Sequence, residues 1–443
     1  MRKLTAGSLI LAATLLASLS HAQNWPQFRG ADSRGVLDGA SLPDTWSATE
    51  NVAWKADIPG RGWSSPVLWG DTVFLTSVVS QGELEAPKKG LYFGGDRPDA
   101  PDVLHQWKIY ALDLNTGALR WEKQVHEGKP GTPRHLKNSY ASETPVTDGE
   151  RLYVYFGNLG LYCLDFEGNM VWERAMPPVK IRYDWGTASS PVLHEGRLYI
   201  VNDNQDASYL VALDAKTGDE IWRVAREEAS NWSTPFIWRN SGRTELVTLG
   251  SDAVRSYGLD GQMLWSLQGM SSITIATPYA EGDLLYFSSG YVGDRKARPI
   301  YAVRAGASGD ISLAEGATSN EWIAWSLPLA APYNPSTLVY RERLYVLYDR
   351  GTVSCYNALD GTAIYEGERL PKGAGFTTSP WAADGKIFCL NEDGVTHVLE
   401  AGDQFKVIRS NALTDDDMGM ATPALTEGRL LLRTGTRLYA IGG

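Results

Sequence analysis

The chain is poor in the residues that carry most redox, metal and nucleophilic chemistry. Its 443 residues include only three cysteines and six histidines. Cys163, Cys355 and Cys389 are far apart, which excludes a Cys-x-x-Cys pair, a haem-attachment Cys-x-x-Cys-His and a vicinal cysteine pair. All three fall in predicted strands, where a free thiol packs as a small hydrophobe. His105, His126 and His135 lack the close pairing of metal ligands, and His194 and His397 fall in turns or strands, so a histidine metal centre is not expected. A Gly-rich phosphate loop and a Gly-x-Ser-x-Gly elbow are missing as well. Basic charge is also short, with 41 Lys and Arg against 52 Asp and Glu, a formal −11. Such a balance argues against nucleic acid and anionic membranes as partners.

Long apolar runs are confined to the first residues. Arg2 and Lys3 precede an apolar stretch from Leu4 to Leu19, and Ser20-His21-Ala22 offers small residues at the two positions that a signal peptidase reads. This pattern predicts a secretory leader over residues 1–22, cleaved after Ala22. Its loss leaves 39 basic against 52 acidic residues, a formal −13. No later stretch approaches the ~20 apolar residues of a membrane span. The expectation is a soluble, exported, monomeric chain, in the periplasm or secreted.

What the sequence has in abundance is repetition. A Ser/Thr/Asn-Pro pair recurs at Ser65-Pro66, Thr144-Pro145, Ser190-Pro191, Thr234-Pro235, Thr277-Pro278, Asn334-Pro335, Ser379-Pro380 and Thr422-Pro423. Successive prolines are 79, 46, 44, 43, 57, 45 and 43 residues apart. Five of these gaps lie near the ~40–45 residues of one four-stranded propeller blade. Within the repeats a second landmark recurs. Tyr110-Ala111-Leu112-Asp113 leads through Thr116-Gly117 to Trp121, and Val211-Ala212-Leu213-Asp214 leads through Thr217-Gly218 to Trp222. Asp and Gly suit a tight turn between strands, and the aromatic on the outermost strand is expected to pack between blades.

These patterns predict an all-β chain: an eight-bladed β-propeller over residues 51–443, preceded by an extension over 23–50. The outer-strand aromatics are Trp121, Trp172, Trp222, Trp265, Trp325, Tyr365 and Phe405, one short of eight. The last repeat ends at Gly443 before its own outer strand. Residues 51–55, containing Trp54, are the expected replacement, closing the ring and removing two open sheet edges. An open solenoid is the alternative.

Two excursions, 81–105 and 123–138, are expected to border one mouth of the central channel as a partial lid. A third, 304–320, reads as a small-residue linker on the opposite face. The segments before each Pro pair converge on the axis. They place Trp63, Lys137, Asn138, Arg182, Asp184, Trp185, Asn231 and Trp232 on one face as candidate ligand-binding residues. Stacking rings with a few polar groups suit a flat or carbohydrate-like ligand with some negative charge. The alternative is that the aromatics merely plug the tunnel.

The repeat Tyr-Ala-Leu-Asp-x-x-Thr-Gly-x-x-x-Trp resembles the pyrroloquinoline-quinone (PQQ) type propeller repeat, which quinoprotein dehydrogenases share with the propeller subunit of the outer-membrane-protein assembly machine. Residues 24–30 (NWPQFRG), 62–66 (GWSSP) and 231–235 (NWSTP) look more narrowly like the exported PQQ-like repeat proteins. A dehydrogenase of this resemblance implies adjacent cysteines on one quinone face, a Trp on the other, a Ca²⁺ held by Glu and Asn oxygens, and an Asp base. The adjacent cysteines are absent. Asp184 as base, with Glu143 and Asn231 as calcium ligands, are the channel-side candidates; Asp415-Asp416-Asp417 is either a cation site or a solvated acidic loop. The assembly propeller is a lipoprotein, and no cysteine follows Ala22 to carry a lipid. The expected function is binding of a small ligand or an envelope protein without self-sufficient redox activity and without a cofactor. The alternatives are a PQQ/Ca²⁺-dependent oxidoreductase and a scaffold in envelope protein assembly.

Overall fold

The computed structural model describes residues 24–83, 85–94, 99–413 and 417–443. The leader expected over 1–22, and Asp415 and Asp416 of the acidic run, lie outside the described residues. Eight antiparallel sheets, each built on four strands from the axis outward, make an eight-bladed propeller. The innermost strands are Val67–Trp69, Val146–Thr147, Val192–His194, Phe236–Arg239, Tyr279–Glu281, Leu338–Tyr340, Trp381–Ala383 and Ala424–Thr426. We number the blades 1 to 8 in that order. The solenoid alternative fails, because Val52–Asp57 pairs antiparallel with Arg437–Gly442 as the outer strand of blade 8.

Five of the eight blades grip the next through a tryptophan and a turn. In blade 1, Asp113 Oδ1 accepts the Asn115 and Thr116 N–H groups at 3.0 and 2.9 Å, shaping the turn that Gly117 completes at φ 70°. A Cβ on Gly117 would lie 2.5 Å from the Trp54 ring, so the indole of blade 8 rests directly on that backbone. Trp54 Nε1 then donates to Leu114 O at 2.8 Å. Equivalent bonds run from Trp121 to Phe166 O, Trp172 to Ala215 O, Trp222 to Leu259 O and Trp325 to Ala358 O, at 2.7 to 3.1 Å. The glycine of the Asp-x-x-Thr-Gly pattern is thus fixed twice, by positive φ and by the ring above it.

Three expectations need correction. Asn334-Pro335 is not the sixth repeat pair: every inner strand begins two residues after its repeat Ser or Thr, which in blade 6 makes Ser336 the equivalent residue, with Thr337 in place of proline. Phe405 lies in the turn before Val407–Ala412 and meets Tyr365 of blade 6 edge-on at 6.0 Å, so it is not an outer-strand ring. The 304–320 excursion is more than a linker. Its Gly309–Asp310 adds a fifth, parallel strand beside Trp265–Ser266 of blade 4, and Ile311 joins the core there. Blade 5 consequently has no Asp-x-x-Thr-Gly turn to receive Trp265. That indole turns inward and donates to the buried Glu245 Oε2 at 2.7 Å.

The extension, read only as a preface to the fold, crosses the end of the barrel where the inner strands finish. Trp25 exchanges backbone bonds with Leu68 of blade 1, and Pro26 O accepts Thr147 N of blade 2. Asp32 pairs with Arg239 of blade 4 and Arg34 with Glu281 of blade 5. Buried Arg29 lies over the Tyr279 ring and donates to Thr337 O of blade 6. Leu37 N bonds to Ala382 O of blade 7, and Ala40 O accepts Gly428 N of blade 8. One segment therefore ties seven blades together. Cys163, Cys355 and Cys389 are buried in interblade cores, as the sequence implied.

The glycine lock predicts an unequal pair of alanine substitutions. Gly168 and Gly196 both have positive φ, 85° and 72°, and each should lose about 1–2 kcal/mol to backbone strain. A Cβ at Gly196 meets nothing within 4 Å, whereas one at Gly168 would lie 2.8 Å from the Trp121 ring. Gly168→Ala should therefore cost a further ~1–3 kcal/mol in urea unfolding. Equal losses would show that the tryptophan is not seated on the turn.

Candidate functional site

At the channel mouth opposite the extension's surface side lies a cavity of about 250 Å³ on the axis. The repeat itself lines it. Ser65, Thr144, Ser190, Thr234, Thr277, Ser336, Ser379 and Thr422, one per blade, all face this space. Their backbone N–H groups bond to the next blade's hydroxyl oxygen, at 2.9 to 3.3 Å, in six of the eight successive links: Ser65 to Thr144, Thr144 to Ser190, Ser190 to Thr234, Thr277 to Ser336, Ser336 to Ser379 and Ser379 to Thr422. The Ser/Thr of the pair is required because a chain entering an inner strand has no strand on the axial side to satisfy its N–H.

Chain from outside the blades narrows the cavity. Phe28 of the extension reaches up into it, and Gly90, Leu91 and Tyr92 of the blade 1 excursion lie across the mouth. That crossing is pinned to blade 7. Gly90 N donates to Glu392 Oε2 at 2.5 Å, and Lys89 pairs with Asp393 at 2.9 Å. Phe93 meets Tyr183 and Trp185 of blade 3 edge-on at 4.9 and 5.4 Å. Both expected excursions, through Tyr92 and through His135, Lys137 and Asn138, do border one mouth.

Of the eight candidate residues, five reach the cavity. Trp63, Trp185 and Trp232 form aromatic walls, with the last two rings 5.9 Å apart at 42°. Two of them are locked by their own indole bonds, Trp63 Nε1 to Lys137 O at 2.7 Å and Trp232 Nε1 to Gly186 O at 2.6 Å. Asn138 is held by Trp185 O and Thr187 O on one side and by Ser142 on the other. Lys137 is buried against Glu392, with further bonds to Gly90 O and Thr377 Oγ1. Its charge is thereby neutralised.

Arg182, Asp184 and Asn231 do not line the cavity. Arg182 donates to Ser272 O at 2.8 Å and stacks on Tyr183 at 5.0 Å. Asp184 sits in a short turn at φ 55°, just before Trp185. Asn231 is tied to the buried Asp203, which pairs bidentately with Arg226 at 2.8 and 2.9 Å. The negative charge expected of the ligand loses its basis, since one cation is paired and the other lies elsewhere. Sequence reasoning passed over Phe28, Tyr92, His135 and the ring of hydroxyls. The last was in plain view as the repeat, read for fold alone.

The PQQ and Ca²⁺ implied by the dehydrogenase resemblance do not fit these residues. No Asp or Glu lines the cavity, and the thiols are buried within the blades. Glu143 is buried, accepting Thr187 Oγ1 at 2.6 Å and Gly157 N at 3.3 Å, and burial raises its carboxyl above the ordinary 4.5. A carboxyl held towards its neutral form is a poor hard-cation ligand. Asp417, the described member of the acidic run, accepts bonds from Thr434 and Thr436 of the neighbouring turn. Among the described residues, no group of three or more His, Cys, Asp or Glu is placed to hold a metal.

Residues 105–292 match the family model described as outer membrane protein assembly factor BamB. The serine/threonine-protein kinase AfsK of Streptomyces griseus is 29% identical over 166 residues, 34% of this chain and 19% of that protein. The chain thus spans about a fifth of that relative's length. Quinohemoprotein alcohol dehydrogenase from Comamonas testosteroni superimposes with a TM-score of 0.57 and 11% identity, over 95% of this chain and 80% of that one. The computationally designed Ika8 protein does so at 0.53 and 10%, over 87% and 98%. At such identities the structural likeness is one of fold. The chain is an eight-bladed β-propeller, and its residues 105–292 are similar to the PQQ-type repeat family of that model.

Burial of Glu143 predicts a pH signature. Its folded pKa is raised, so the neutral carboxyl supports the fold below the unfolded value of 4.5, and that support is lost as pH climbs from there through the folded value. Glu143→Gln keeps the acceptor for Thr187 and cannot ionise. In denaturation at pH 5 and pH 7.5 the variant should gain stability relative to wild type at the higher pH. An unchanged difference between the two pH values would mean that Glu143 is not held neutral.

Proposed function

We propose that this protein is an exported propeller that binds one small, ring-shaped ligand on its axis and carries no redox chemistry of its own. The observation that carries this reading is the axial cavity: three tryptophans and eight hydroxyl-bearing residues around a space bordered by Phe28 and by Gly90 to Tyr92. A structural plug would fill that space with side chains, whereas about 250 Å³ remains open. The volume, about 250 Å³, suits a monosaccharide or a two-ring planar molecule and lies just below the ~300–1,000 Å³ common for ligand pockets. The lack of a carboxylate donor and of reachable thiols supports a role without PQQ and Ca²⁺. The leader expected over residues 1–22 supports export to the bacterial envelope; no helix among the described residues is long and apolar enough to cross a membrane.

The BamB-type match over residues 105–292 favours a second reading, a scaffold that recognises extended polypeptide on its rim. The outer strands of blades 1 to 4 do carry exposed apolar residues, Leu119, Val171, Ile221 and Met263, one or two positions before their tryptophans. Calorimetric titration separates the two. Monosaccharides, planar heteroaromatics, unfolded outer-membrane peptides, and PQQ with Ca²⁺ are titrated into wild type and the Trp185→Ala/Trp232→Ala variant. A cavity ligand should lose about tenfold or more in affinity, since each stacking surface is worth ~0.5–1.5 kcal/mol beyond its area. Binding that survives this variant and fails on Leu119→Asp/Ile221→Asp would establish the scaffold instead. Dye reduction requiring both PQQ and Ca²⁺ would establish the oxidoreductase.

A further inference from the structure

The aromatic wall of the cavity does not stop at its edge. Trp185, which lines the space, meets Tyr183 at 5.1 Å and Phe93 at 5.4 Å, and those two rings meet each other at 4.9 Å. Tyr333, also in the lining, meets Tyr291 at 5.3 Å. Exposure grows along this path: Trp185 is 9% exposed, Tyr183 and Tyr291 are half-buried, and Phe93 and Val292, the residue after Tyr291, are each 48% exposed. An apolar patch thus continues the lining onto the mouth face, and a contiguous patch beside a cavity marks an interaction site where scattered apolar residues would not. The turn that carries Tyr183 is strained. Tyr183 and Asp184 are both left-handed, at φ 57° and 55°, and are held so by Arg182 N to Ser230 Oγ at 3.0 Å and Asp184 N to Ile181 O at 2.9 Å. It sets the rings of residues 183 and 185 side by side. Strain of this kind persists only where the surroundings enforce it, and it clusters at ligand sites.

The lining itself mixes both senses of hydrogen bond. Eight Ser and Thr hydroxyls, the Tyr333 hydroxyl and the Asn334 amide are groups that both donate and accept. No Asp or Glu is among the lining residues, and Lys137 is paired with Glu392. A polypeptide entering by either end would bring an ammonium or a carboxylate into this space with no opposite charge left for it. An oligosaccharide enters by a neutral ring, whose hydroxyls donate and accept and whose C–H faces rest on aromatic rings. A space of about 250 Å³ suits one such ring, so the next residue of the chain must lie outside, where Phe93 and Tyr183 are.

Resting on the reading of the cavity as the binding site, we propose that the ring held there is the terminal residue of a neutral oligosaccharide. That residue lies against Trp185 and Trp232, and the next lies on the mouth patch against Phe93 and Tyr183. The cavity supplies polar recognition of the chain end, and the patch supplies affinity for chain length. Phe93 is the discriminating residue, because it is outside the cavity lining and its ring is exposed.

Chain length is therefore the variable to test. Neutral mono-, di- and trisaccharides of glucose (both the β-1,4 and the α-1,4 series), mannose and N-acetylglucosamine are titrated into the full-length mature protein and into Phe93→Ala, Phe93→Trp and Trp185→Ala/Trp232→Ala. Thermal melts verify that each variant is folded. In at least one series the disaccharide should bind wild type about five- to tenfold more tightly than the monosaccharide, the worth of one or two stacked rings. Phe93→Ala should remove that gain and leave the monosaccharide unchanged, whereas Phe93→Trp, which keeps a ring, should retain it. If Phe93→Ala does not fold, Phe93→Trp and the ranking by length in wild type carry the test. Equal affinity at every length, a gain untouched by Phe93→Ala, or no binding by any series overturns the proposal. Monosaccharide binding that weakens in Phe93→Ala as much as the longer chains also overturns it, since Phe93 would then only prop Trp185. A planar heteroaromatic that binds where no saccharide does, and depends on Trp185 and Trp232, overturns the oligosaccharide while leaving the cavity reading intact. The cavity reading falls separately, if every ligand found ignores Trp185→Ala/Trp232→Ala.

Discussion

An indole seated on a glycine turn is the contact on which this propeller depends. A blade is a twisted four-stranded sheet that cannot bury both faces by itself, so its stability comes from its neighbours. In five blades the tryptophan of the outer strand spans the widening gap to the next blade and ends in a hydrogen bond to that blade's turn. Bulk, flatness and a single donor at the tip all serve that contact. Where the turn is lost, at blade 5, the frame is rebuilt rather than weakened: Trp265 finds Glu245, and Gly309–Asp310 covers the exposed edge.

A second ring of contacts runs at small radius, and it serves two purposes. Near the axis the inner strands have no further strand to pair with, so their first N–H groups would face an empty channel. The repeat hydroxyls take those N–H groups blade by blade. Each bond is worth only ~1 kcal/mol net, yet leaving the N–H unmade in a buried channel would cost more. The same Ser and Thr residues border the axial cavity, so the contacts that hold the ring together also make its lining.

The architecture was legible because it is periodic. Spacing of the Pro pairs, the Asp-x-x-Thr-Gly turns and the missing eighth outer strand all follow from one unit repeated, and Trp54 took its place in the closing blade as expected. The exceptions were local substitutions of one device by another. A sequence scan for Pro cannot see that Thr337 fills its place, and a scan for aromatics cannot see that Phe405 sits in a turn. The site was less legible for a different reason. Proximity to the axis along the chain does not say which way a side chain faces, so Trp185 and Asp184, adjacent in sequence, part company: the ring enters the cavity and the carboxylate does not. Phe28 could not have been placed at all, since its position depends on contacts that the extension makes with seven separate blades.

Those contacts place Phe28 in the axial cavity. The extension is held by backbone bonds at Trp25, Pro26, Leu37 and Ala40 and by the buried Arg29, whose pKa burial lowers to about 10. A buried guanidinium held by carbonyl oxygens and a tyrosine face, with no carboxylate partner among the described residues, is a costly anchor that only a rigid surrounding can support. At the opposite end Glu392 receives Gly90 N, Thr377 Oγ1 and the Lys137 ammonium together, so closing the mouth and neutralising the one cation in the lining are the same act.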